Sequence, residues 1–289
     1  MPNTQSPGPQ RTLVLTVLAL FAFAGNSVLC RLALGDGAID AASFTIVRLL
    51  SGAIVLSLLC RMRSTSARET RGGWTSACVL CIYAIAFSFA YTTLQTGVGA
   101  LILFGTVQLT MLTVAVAGGE RISLGEWVGV SVALSGFAYL VLPGASAPPV
   151  MGSMLMALAG IGWGSYTLLG RGSSDPMGDN ARTFVHSLPI LALLAVVRIG
   201  QEHYSAPGIA YAVTSGAIAS GVGYTLWYSA LRGLSTTTAA VVQLSVPIIA
   251  AGGGVLFMNE SISPRLALSA GLILGGIGWV TLAASRRRV

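Results

Sequence analysis

Apolar stretches of about 20 residues recur along the whole chain, and no other feature limits its fold as strongly. A helix of that length is what crossing the hydrocarbon core of a bilayer requires. Only 9% of the 289 residues are charged while 54% are hydrophobic, and the mean hydropathy is +0.79. Soluble domains carry about 25% charged residues, so the chain reads as an all-α membrane protein. Helices are expected near 13–34, 41–60, 74–94, 97–117 and 124–142, then near 150–170, 181–198, 207–231, 235–257 and 265–285. Short segments rich in breakers join them, among them GDGAID, PGASAPP, RGSSDPMGD and NESISP. The first apolar run ends in Ala22-Phe23-Ala24, which resembles a signal-peptide cleavage site. It continues through VLCRLAL, so it reads as a full span.

Every basic residue is an arginine, and the arginines give an orientation. With the N-terminus inside, Arg11, Arg61, Arg63, Arg68, Arg71, Arg121, Arg171, Arg182, Arg232, Arg286, Arg287 and Arg288 fall at inner helix ends. Only Arg31, Arg198 and Arg265 fall at outer ends. Twelve against three places both termini in the cytoplasm under the positive-inside rule, and the expected location is a bacterial inner membrane. The net charge of +7 therefore reports orientation within a lipid bilayer and not a nucleic-acid partner.

The two halves repeat each other. GERISLGEWVGVSVALSGFAYLVL (119–142) aligns with NESISPRLALSAGLILGGIGWVTL (259–282) at an offset of 140, pairing Glu120 with Glu260. At an offset of 138 Arg48 meets His186 and Ser27 meets Ser165. Gln108 pairs with Gln243 in a competing register of the fourth helix. Five helices is an odd number, so the second set must run inverted. The expected units are a tail (1–12), a five-helix repeat (13–142), an inverted five-helix repeat (150–285) and a basic C-terminus (286–289). Inverted repeats are the architecture of secondary transporters, with the substrate site between the halves near mid-membrane.

The E-(R/S)-I-S step before the last helix of each repeat, with the glycine-rich GVSVALSGFAYLVL and GLILGGIGWVTL, resembles the ten-helix EamA-type branch of the drug/metabolite transporter superfamily. GIGWGSYTLLGRG and GVGYTLWYSALRG look most like its YddG-type exporters of aromatic amino acids. The resemblance implies a carrier of small molecules that exports aromatic and other large neutral amino acids. The fourth helix, LILFGTVQLTML, lacks the proline usual in that family, whereas the ninth keeps Pro247.

Several residues are candidates for the substrate path. Tyr83, Phe87 and Tyr91 recur at i, i+4 and i+8 on the third helix. Tyr224, Trp227 and Tyr228 form the matching stripe on the eighth. Trp163, Tyr166 and Thr167 face together on the sixth, where Ser165 also lies, and Asn26 with Ser27 sit at similar depth on the first. Aromatic faces, hydroxyls and a few amides suit an amphiphile with an apolar body and polar ends. Trp74, Trp127, Tyr211 and Trp279 fall where interfacial belts lie. Arg48, about 10 Å below the outer surface from seven residues at ~1.5 Å each, has two readings. It either pins the bundle through carbonyls or a polar partner, or it meets a substrate carboxylate. The resemblance favours pinning, because an arginine recurs there with many substrate types. His186 is either a satisfied core histidine or the sole membrane-depth proton site. Gln108 and Gln243 are further candidates, either for contact with the substrate or for a structural role.

The same inventory excludes other chemistry. Without lysine there is no Schiff base. Cys78 and Cys81 have no further ligand at metal spacing, no nucleophile and base stand together at depth, and nothing calls for a metal or a cofactor. An exporter of cationic drugs or other metabolites, and a passive channel, remain as alternatives. Gly160 with Gly164, and Gly271 with Gly275, read as close-packing pairs within a monomer, or in the tenth helix as a dimer face.

Overall fold

The computed structural model describes residues 8–62, 73–119, 123–142, 144, 147–171, 173–234 and 236–287. Ten helices follow the ten apolar runs: α1 (Pro9–Gly35), α2 (Ala41–Arg61), α3 (Trp74–Tyr91), α4 (Thr96–Ala117), α5 (Leu124–Val141), α6 (Val150–Gly170), α7 (Pro176–Val197), α8 (Ala206–Leu231), α9 in two pieces, α9a (Thr236–Gln243) and α9b (Val246–Met258), and α10 (Pro264–Arg287). Of these, α1–α5, α7 and α8 are long and apolar enough to cross a membrane by length and composition. Among the described residues the only extended pairing is the single bridge between Ile39 and Tyr204.

Local chemistry sets the helix ends. Asp40 accepts from the amides of Ala42 and Ser43 and so caps α2, while Ser123 and Glu126 form a reciprocal capping box on α5. Pro9 and Pro176 occupy the first turns of α1 and α7, where a missing N–H costs nothing. Asn259, in the left-handed region at φ 53°, ends α9b.

The contrast between the fourth and ninth helices appears in the backbone. Without proline, α4 runs unbroken. In the ninth, Pro247 can offer no N–H to the turn before it. The helix accordingly breaks at Leu244 and Ser245.

Packing follows the duplication. α1 packs on α8 and α9b as α6 packs on α3 and α4; α2 packs on α8 as α7 packs on α3. The pairs α2–α7, α4–α9b and α5–α10 map onto themselves when each helix is exchanged for the one five places later. Glu120, the expected mate of Glu260, lies outside the described residues.

The two glycine pairs behave differently. Gly160 and Gly164 abut Thr106, Thr110 and the carbonyls of Leu103 and Val107 on α4, as internal packing requires. Gly271 and Gly275 are exposed, with open space where a Cβ would be. On α10 the close contact to α5 is made instead by Gly276, facing the Gly129 carbonyl. The expectation of internal packing is therefore corrected for Gly271 and Gly275. A period of four does not say which side of the helix meets the bundle.

Candidate functional site

Arg48 is fully buried, and a close approach of two backbones places it. α8 lies against α2 at Gly216, where any Cβ would collide with the carbonyl oxygen of Arg48 and Oγ of Ser51. Around that contact α8 is wound as a π-helix from Ser215 to Val222. The wider turn aligns residues five apart on one face, so Ser215 and Ser220 both point inward. Ser220 Oγ accepts from Arg48 Nε at 3.0 Å, and Ser215 Oγ donates to Asn26 Oδ1 at 2.6 Å.

The other guanidinium contacts are also neutral. Arg48 Nη2 donates to the hydroxyls of Tyr83 at 3.0 Å and Tyr224 at 2.9 Å. Asn26 Nδ2 donates to the same Tyr83 hydroxyl at 3.3 Å. The guanidinium carbon stands 5.2 Å and 5.1 Å from the ring centroids of Tyr83 and Phe87, within cation–π range. Arg48 Nη1 has no hydrogen-bond partner. The cation is thus held by hydroxyls and ring faces, with no carboxylate among these partners.

The rings form a continuous column. From Tyr91 it passes to Phe87 (4.8 Å between centroids), Tyr83 (5.4 Å), Trp163 (5.2 Å), Tyr166 (5.8 Å) and Tyr228 (6.2 Å). Tyr224 stands 4.5 Å from Trp163, and Phe23 is 5.5 Å from Trp163 and 5.6 Å from Trp227. Near the Arg232 end the column meets a cavity of about 240 Å³ lined by Thr167, Arg171, Tyr228, Arg232 and Gln243. Arg232 is fastened there to the Ser174 carbonyl at 2.7 Å.

The opposite end is tied shut. Arg31 on α1 and Glu260, in the connection after α9b, form an ion pair at 3.3 Å. The Glu260 carboxylate also receives the Thr96 amide at 2.8 Å and 3.1 Å, and Arg31 Nη1 donates to the Tyr91 carbonyl at 3.1 Å. Asp40 accepts from the amide of His203 at 3.0 Å, joining the α1–α2 and α7–α8 connections. Burial works to raise the Asp40 carboxyl, but hydrogen bonds from Ser43, His203 and Ala42 outweigh it and hold the group below its ordinary value of 3.8.

Residues 150–282 match the model of the EamA-like transporter family. Over 94% of both chains the sequence is 51% identical to the "Uncharacterized protein PA1977" of Pseudomonas aeruginosa. The chain belongs to the EamA-like transporter family. This transporter is also 25% identical to the "Uncharacterized transporter YwfM" of Bacillus subtilis, covering 74% of this chain and 73% of that one. A solved crystal structure superposes with a TM-score of 0.66 at 18% identity, covering 93% and 99% of the two chains, which shows the fold alone. The family is one of transporters and not of enzymes.

In this EamA-like transporter the fold brings together Asn26, Arg48, Tyr83, Phe87, Trp163, Tyr166, Tyr224 and Trp227. Ser27 is buried beside Tyr91, toward the closed end. Ser165 is half-buried and turned roughly 200° around α6 from Trp163, by two steps of about 100° each. His186 stands apart from the column, half-buried, with its ring edge-on to Trp74 at 4.9 Å and Nδ1 2.7 Å from the Arg182 carbonyl. It is neither enclosed in the core nor a partner of Arg48. Gln243 lines the cavity with Oε1 unpaired, and Gln108 is buried on α4.

Phe23, at the hub of four ring contacts, and the serines Ser215 and Ser220 carry no mark in the residue patterns considered above. Phe23 was legible in principle, standing three residues before Asn26 on the same helical face. The serines were not, because a five-residue repeat has no meaning on an α-helix.

Proposed function

We propose that this EamA-like transporter exports aromatic and other large neutral amino acids by alternating access, from a bacterial inner membrane and with both termini cytoplasmic. The observation that carries the reading is the unbroken column of aromatic rings from Tyr91 to Tyr228 with polar groups beside its centre. Flat faces stack on an aromatic or large apolar side chain, while Asn26, Tyr83, Tyr224 and Arg48 offer hydrogen bonds to its polar end. With the arginine-rich end taken as cytoplasmic, the cavity beside Arg232 faces the cell interior, where surplus amino acid is loaded. The positive charge of Arg48 at the centre of the column argues against a cationic drug as cargo.

Counterflow in proteoliposomes with labelled amino acids and organic cations tests the reading. Phenylalanine, tyrosine and tryptophan should show a transient overshoot that a passive channel cannot produce. Overshoot confined to organic cations would remove the amino-acid assignment.

A further inference from the structure

We propose that Arg48 is the carboxylate seat of the transport site, and that the site reads its ligand as an aromatic monocarboxylate whose amino group it does not require. The inference rests on the aromatic column being the substrate path, and it goes further by naming which polar end of the substrate is held.

The first argument is charge. Arg48 is fully buried, and its partners are Ser220, two tyrosine hydroxyls and two ring faces. A cation withdrawn from water without a counter-ion is a standing cost, relieved when a carboxylate arrives. A structural pin would instead be saturated by its own protein. Arg48 is not, since Nη1 has no partner.

The second argument is the kind of atom left over. Besides Arg48 Nη1, the indole Nε1 atoms of Trp163 and Trp227 are buried and unpaired. All three are donors. Arg48 and Trp163 flank the same two residues, Tyr83 and Tyr224, and Phe23 bridges Trp163 to Trp227. Unpaired buried donors call for acceptors, and a carboxylate brings two oxygens with about four lone-pair sites. Nothing in this group of residues carries a negative charge. An ammonium would find there only ring faces, hydroxyls and the Asn26 amide oxygen, which already accepts from Ser215. Tyr83 and Tyr224 now occupy Nη2, so a bound carboxylate would take Nη1 and compete with the two hydroxyls for Nη2 in the forked geometry that guanidinium favours.

The test is equilibrium binding to the purified full-length protein, read by intrinsic tryptophan fluorescence, with phenylalanine, 3-phenylpropionate (the acid without the amine) and 2-phenylethylamine (the amine without the acid). The acid should bind within about threefold of phenylalanine and the amine at least about tenfold more weakly, the scale of losing one charged hydrogen-bonding group. In Arg48→Gln the acid should weaken by about tenfold or more, and Arg48→Lys should recover part of the loss. Binding of the acid without phenylalanine would uphold the carboxylate seat and remove the amino-acid assignment. The seat is overturned if the amine binds as well as the acid, if phenylalanine binds and the acid does not, or if none of the three binds. Because the ligand panel is run on wild-type protein, the proposal stays falsifiable even where Arg48→Gln does not fold.

Discussion

At the scale of single residues, Trp163 stands mid-column in ring contact with Phe23, Tyr83, Tyr166 and Tyr224. Trp163→Phe keeps a ring there but loses stacking area. An aromatic pair is worth about 0.5–1.5 kcal/mol, so the KM for tryptophan or phenylalanine should rise about 2- to 10-fold without loss of folded protein. Unchanged kinetics would take Trp163 out of the path. Asp40 supports a second prediction. Its folded carboxyl titrates below the ordinary value, so the stabilisation it gives is present above about pH 4 and is lost as pH falls through the depressed folded value. Removing an N-cap costs about 1 kcal/mol. Asp40→Ala should therefore lower the melting temperature at neutral pH, and the difference from wild type should shrink on acidification below pH 4. A difference independent of pH would mean the charge of Asp40 is not what ties α2 to the His203 loop.

The element scale turns on where helices touch backbone to backbone. Gly216 meets the carbonyl of Arg48, whereas Gly271 meets nothing within 4 Å. Gly216→Ala should force α8 off α2, with an overpacking cost of about 1–3 kcal/mol. It should also draw Ser220 and Tyr224 away from Arg48, lowering both melting temperature and ligand affinity. Gly271→Ala should leave folded yield and melting temperature unchanged or slightly improved, since alanine is the better helix former. Equal effects at the two positions would contradict the packing. Sequence periodicity foresaw α8 as one span, and its ends differ from expectation by a single residue at most. It gave no hint of the π-helical turn, which coincides with the close approach at Gly216 and has no counterpart in a pattern read at α-helical spacing.

For the whole molecule, the closed end depends on a small set of polar ties joining α1, α4 and the connection after α9b. Glu260 holds Arg31 and the first amide of α4 at once. Glu260→Gln keeps the shape and removes the charge, so it should shift the population toward states open at that end. A cysteine placed at Ser27, which is buried beside Tyr91 toward that closed end, should then react faster with a small impermeant thiol reagent than it does in a protein with Glu260 intact. An unchanged rate would show that the ion pair is not a latch. Orientation is tested by labelling in intact cells. Gln201→Cys should react from outside, and Ser174→Cys only after permeabilisation; the reverse would invert the topology.

What the sequence determined by itself was the solvent and the scaffold. Apolar runs of bilayer length allow only helices, because backbone N–H and C=O groups in lipid must be satisfied within the segment. Arginine placement and the 138–140 offset then express an expected orientation and a duplication, and the contrast between α4 and the broken ninth helix follows from one proline. The aromatic stripes were legible too, since i, i+4 and i+8 fix a common face in any α-helix. Only the tertiary structure decided which faces meet. It drew Arg48 together with Tyr83, Tyr224 and Ser220, set His186 out beside Trp74, and turned Gly271 and Gly275 outward. These outcomes depend on rotation of each helix about its own axis. In a chain apolar on nearly every face, side-chain hydropathy does not fix that rotation, and the small residues that let backbones approach do.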